Sequence, residues 1–242
     1  MLSFSDQFRP FVGPLRLSWQ VSAKRYTFWC KGHLSEESFR LGVGMTDETR
    51  SVLVVSVSAA DPMTCTIVGL STYTKSNVRK VLPFDGPVLK TLLDLAEALA
   101  VSFGCTHMRL YDAANVRIRE SFAFLTRIML LKRGLRLYER YGYEGEDPFS
   151  MPDIGELNGC RLLFRVLSRR CHTWSDLWAR LEPRTSVVDD LEALFDDLGF
   201  PLERLQCWYT KPISAEIGTV SFSNEYLPEF LRSYSDRWMD VY

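Results

Sequence analysis

Thiols and imidazoles are the side chains most able to act as nucleophiles or metal ligands, and this chain has six cysteines and three histidines. No cysteines among Cys30, Cys65, Cys105, Cys160, Cys171 and Cys207 stand in a C-x-x-C pair, and His33, His107 and His172 do not fall into H-E-x-x-H. Those spacings argue against a zinc site and against a compact disulfide framework, so no metal is expected and the thiols read as reduced core residues. Cys171 and His172 are neighbours in sequence, which points their side chains apart on a helix or turn and makes them a poor nucleophile pair. G-x-S-x-G, a P-loop and the kinase motifs are all absent, and the hydrolase and kinase readings fall with them. Glu36, Glu37 and Asp61 are loose candidates for a general base, and the role is left unassigned.

Charge supplies the next signal. Arg117, Arg119, Arg127, Lys132, Arg133, Arg136 and Arg140 stand against only Glu120 and Glu139 between residues 117 and 140, and Arg161, Arg165, Arg169 and Arg170 follow. Acids at Asp189, Asp190, Glu192, Asp196 and Asp197 balance them, and the whole chain carries a formal charge of only -1. A protein partner or self-association through the basic helix and the aromatic C-terminal helices is therefore expected, and nucleic acid is not.

These groups need elements to hold them. At 242 residues, with 46% apolar and 24% charged side chains, the chain has the size and composition of a globular protein that buries a core. No apolar run approaches the roughly 20 residues that cross a bilayer. The start, MLSFSDQFRPFVGP, lacks a basic segment followed by an apolar core. A soluble, cytoplasmic protein without membrane association is the expectation.

The first third alternates short apolar runs (LRLSWQV, RYTFWC, FRLGVGM, SVLVVSVSA, TCTIVGLSTYT) with polar turns, the pattern of an antiparallel meander, with LSEES as a possible short helix. Pro87 then opens a helix that Gly104 closes, THMRLYDAA reads as a strand, and 117–140 reads as a second long helix. Gly142 is placed to end that helix in the left-handed conformation, with Tyr143 starting a strand. Past a seam at 146–153 the tail reads as helical, in ELNGCRLLFRVLSRR, TWSDLWARLEP, SVVDDLEALFDDLG and YLPEFLRSYSDRWMDVY. Two domains follow from this, 1–146 and a mainly helical extension over 147–242.

The order of elements, together with LYERYGY, resembles the Gcn5-related N-acetyltransferase (GNAT) superfamily over roughly residues 15–146. Leu137, Tyr138, Gly142 and Tyr143 match the family's pattern N-x-x-A-x-x-L-Y-x-x-x-G-F, while Leu131 and Gly134 replace its Asn and Ala. The resemblance implies an α/β (α+β) fold, a mixed and mostly antiparallel sheet flanked by helices. It also implies acetyl-CoA as cofactor, with Tyr138 as the acid that protonates the thiolate leaving group. Contacts to the cofactor would come from Arg79, Lys80, Gly86 and Val88. The family's phosphate-cradling loop is eroded here, with Val81 and Phe84 at two of its positions and Gly86 as its surviving small residue. The expectation is a degenerate GNAT-like fold acting as a non-catalytic binding or structural module. The alternative is an N-acetyltransferase with a divergent acetyl-CoA site.

Overall fold

The computed structural model describes residues 3–44, 51–70, 88–118, 121–124, 126, 129, 136–146, 207–213 and 217–224. Five strands come first: β1 (Gly13–Val21), β2 (Lys24–Leu34), β3 (Ser38–Gly44), β4 (Leu53–Ser58) and β5 (Asp61–Leu70). Each pairs antiparallel with the next, as the alternation in the sequence requires. Helix α2 (Val88–Ser102) follows, then β6 (His107–Tyr111), which lies parallel to β5. Beyond these come β7 (Asn115–Ile118), β8 (Ser121–Phe124), β9 (Glu144–Gly145), β10 (Trp208–Pro212) and β11 (Thr219–Ser223). A short helix, α1 (Phe4–Phe8), precedes the sheet and is capped by the Ser3 hydroxyl. Nine strands form one sheet of order β11-β1-β2-β3-β4-β5-β6-β10-β9, and β7 and β8 form a separate hairpin.

The chain divides into two compact units, one of Met1–Leu110 with Lys211–Tyr242 and one of Tyr111–Thr210. In the first, one side of the sheet is apolar: Leu15, Leu17, Trp19, Phe28, Phe39, Leu41, Val55 and Val57 are buried at alternate positions. Helix α2 covers that side with Leu92, Leu95, Ala96 and Leu99. At the end of α2 an aromatic cluster closes the core. The Phe8 ring stacks on Phe39 at 4.6 Å, Phe103 meets Phe39 edge-on at 5.4 Å, and Phe11 meets Phe222 at 4.9 Å. Gln7 Nε2 donates to the carbonyl of Phe103 at 2.6 Å and so anchors α1 to the C-terminal end of α2, where Gly104 takes a φ of 77°.

The helix-flanked α/β architecture with a helical extension does not hold. Residues 115–118 pair with 121–124 as the hairpin β7–β8, so Arg117, Ile118 and Ser121–Phe124, expected inside the long helix of 117–140, are strand, and the expected basic helix is lost there. The sequence carries both periods: Val116 and Ile118, and Phe122 and Phe124, alternate at a spacing of two, while Ile118, Phe122 and Leu125 also fit a helical stripe. Tyr138 lies in a turn that leads into a 3-10 turn over Glu139–Tyr141, rather than on a long helix. The tail contributes the strands β10 and β11, whose five-residue alternations are easily passed over beside longer helical patterns. LSEES is the connection from β2 to β3, with only Ser35–Glu37 outside the strands, and the Ser35 hydroxyl accepts from the Ser38 amide at 3.1 Å. The four tail helices expected over 156–242 lie outside the described residues.

Candidate functional site

Arg79, Lys80 and Gly86 lie outside the described residues. Val88 is the first residue of α2, half-buried, in the first unit, and Tyr138 belongs to the second. Glu36, Glu37 and Asp61 are exposed. The described candidate with a structured surrounding is therefore Tyr138.

Its corner is held by Arg136. The guanidinium donates from Nε to Glu139 Oε1 at 2.8 Å, and Nη2 lies 2.8 Å from the same oxygen. Nη1 donates to Cys207 Sγ at 3.2 Å, while the guanidinium carbon sits 5.0 Å from the centre of the Tyr209 ring. Glu139 Oε2 accepts from the Arg136 backbone amide at 2.7 Å, so one carboxylate ties both the main chain and the side chain of the arginine. Gly142 then turns the chain at φ 81°, with its amide donating to the carbonyl of Glu139 at 3.1 Å. Gly145 is fixed for a different reason, because a side chain there would run into Arg136 Nη2.

Three aromatic rings fill the space around this ion pair. Tyr138 stands 5.8 Å from Tyr209 and 6.3 Å from Tyr143, and all three are nearly or wholly buried. Burial pushes the Tyr138 phenol well above its ordinary range, and its electrostatic interactions with Asp112 and Tyr141 push it the same way. Tyr209 is raised too, first by burial, against the pull of Arg136. Arg136 keeps its proton more firmly than usual: burial works against its charge, but Tyr209, Glu139 and Cys207 outweigh that.

Asp112 is the unusual member. It is 1% exposed, and burial lifts its carboxyl to about 6, against the lowering effects of the Ala114 amide, the Thr126 hydroxyl and Arg136. Oδ1 accepts from the Ala114 amide at 3.1 Å. Oδ2, the Thr126 hydroxyl and the Tyr209 hydroxyl are buried without a partner of hydrogen-bonding geometry. The result is a buried polar cluster, in which the Tyr138 and Tyr209 phenols are held protonated and the Asp112 carboxyl is pushed up to about 6. Tyr138 and the Gly142 turn are legible in the sequence. Asp112, Cys207 and Tyr209 are not, because they come from segments about a hundred residues apart and share no motif.

Elsewhere the β4–β5 ladder shifts register between Val54 and Val55, where Val55 pairs with Ile67 but Val54 pairs with Gly69. Val68 is the extra residue of this bulge. The parallel β5–β6 ladder runs from Thr64 opposite His107 to Ile67 opposite Leu110 and ends beside that bulge. Among the described residues, no group of three or more His, Cys, Asp and Glu side chains is placed to hold a metal, and no helix is long and apolar enough to cross a membrane.

Comparison of the chain with protein-family models, curated proteins and solved structures found no match.

Proposed function

We propose that the chain acts as a non-catalytic binding or structural module. The observation that carries this reading is the state of Tyr138, which is 6% exposed and packed among Tyr143, Tyr209 and the Arg136–Glu139 pair. An acid that protonates a thiolate works best near the basicity of its partner, about pKa 10 for a phenol. Burial raises this phenol beyond that range, which makes it a weaker proton donor and a better core residue.

The second reading, transfer of an acetyl group from acetyl-CoA to an amine, draws support from one feature. The end of the parallel β5–β6 ladder beside the Val68 bulge leaves the main chain of Val68–Leu70 past the last β6 pair, a place where a ligand amide can add to the strand. In that reading Tyr138 donates the proton, and Arg79, Lys80, Gly86 and Val88 hold the cofactor.

Calorimetric titration of acetyl-CoA, paired with thermal unfolding, separates the two. The module reading expects no heat and no shift. Binding at about 100 times Kd would add roughly 2.7 kcal/mol of stability and overturn it. Loss of that binding in Gly86→Leu would then assign it to the expected cofactor loop.

A further inference from the structure

A cleft of about 380 Å3 opens on β1, β2 and β11, wholly within the first unit. Its side chains are Arg16 and Ser18 from β1, Arg25 and Thr27 from β2, and Ser221 and Ser223 from β11. Phe222 also borders it, but its ring packs against half-buried Phe11 at 4.9 Å. No carboxylate is among the described lining residues.

The register explains how these groups meet. Ser18 stands opposite Thr27 on one side and opposite Ser221 on the other, so three hydroxyls form a row across adjacent strands, with neighbours about 5 Å apart. Arg16 lies two residues along β1 on the same face, opposite Ser223. Arg25 lies two residues before Thr27, on the other side of the row. Arg25 Nη2 reaches Gln20 Oε1 at 3.5 Å, a long contact between exposed groups that a stronger acceptor would displace. A row of hydroxyls with a guanidinium at either end offers many donors to an anion that carries several acceptor oxygens.

We propose that this cleft binds a phosphorylated small molecule, with Arg16 and Arg25 reaching its phosphoryl oxygens from opposite sides and Ser18, Thr27 and Ser221 donating from the sheet. A phosphoryl group fits better than a carboxylate because its tetrahedral oxygens can meet both guanidiniums and the hydroxyl row at once. The volume falls within the range of small-ligand pockets, which suits a diphosphate better than a single ion. This inference does not depend on the reading of the Tyr138 cluster.

Inorganic pyrophosphate titrated into the full chain by calorimetry is the test. Saturable one-site binding is expected, weakened about tenfold in Arg25→Gln and in Arg16→Gln, the loss of one charge-assisted contact. Arg40→Gln, on β3, should leave the affinity unchanged. Thermal unfolding of each variant checks its folding; exposed Arg25 carries the test if Arg16→Gln does not fold. The proposal is overturned if pyrophosphate gives no saturable heat into the millimolar range. Equal weakening by Arg40→Gln, which would mean diffuse attraction to charge, also overturns it, as does binding confined to long duplex DNA with none to pyrophosphate.

Discussion

Asp112 makes the sharpest statement at the scale of single residues. Its carboxyl titrates near 6 in the folded chain against an ordinary value of 3.8. Because the folded state binds this proton more tightly, the contribution favours folding below the ordinary value and is lost as pH rises through about 6. The loss amounts to about 3 kcal/mol at most. Chemical denaturation between pH 4 and 7 should therefore show wild-type stability falling relative to Asp112→Asn, which keeps an acceptor for the Ala114 amide but does not titrate; parallel curves would show that the carboxyl is not desolvated. The unpartnered Tyr209 hydroxyl leads to a second expectation. Tyr209→Phe should be neutral or stabilising by up to about 1 kcal/mol, whereas Tyr209→Ala, which empties the space under Arg136, should cost about 3–5 kcal/mol. Equilibrium urea melts of the two variants measure both. Tyr138 was readable in the sequence as a residue able to do chemistry; its burial was not, since it depends on Tyr209, contributed from far along the chain.

Two sites test how the elements are joined. At Gly32 of β2 an added Cβ would strike the backbone carbonyl of Phe11, which cannot rotate away, whereas at Gly42 of β3 it would meet only the Ser51 hydroxyl, 2.7 Å away on a side chain that can turn. Gly32→Ala should cost about 1–3 kcal/mol or more and Gly42→Ala clearly less, as read from thermal unfolding. Helix α2 is tied by Glu97, 2% exposed, to Lys211 of β10 at 2.7 Å. Lys211→Met should destabilise by about 3 kcal/mol because a buried carboxylate loses a cation, and Glu97→Leu in the same chain should recover much of the loss. If the two changes add without coupling, the pair does not hold α2. The meander, α2 and β6 were legible as elements because each has a strong local period. The β7–β8 segment fitted two periods at once, and the longer helical pattern around it masked the shorter one. For β10 and β11 the deciding fact is the partner strand, which a local pattern does not name.

Across the sheet of the first unit, the expected chemistry of the Cys30 and Cys65 thiols is inertness. Burial pushes Cys30 up to about 12, and Cys65 is raised by its hydrogen bond with Cys105 and by burial. Both should stay unmodified when the native protein is treated with iodoacetamide at pH 8 and react only on unfolding, because the thiolate is the reactive form; early labelling of either, located by mass mapping, would show that the core opens. The Arg16–Arg25 cleft was invisible in the sequence for a different reason. Its residues come from three strands, two near the start of the chain and one near its end, so no spacing along the sequence joins them.

The same pairing has a consequence for synthesis. Leu17 of β1 finds its partner Phe222 only after about two hundred further residues have been made. At roughly 5–20 residues per second, β1 waits for about 10–40 s on the ribosome with one edge open. A β-edge left unpaired for that long is a template for other nascent chains. Anything that occupies that edge until β11 emerges would therefore protect the chain from such pairing during synthesis.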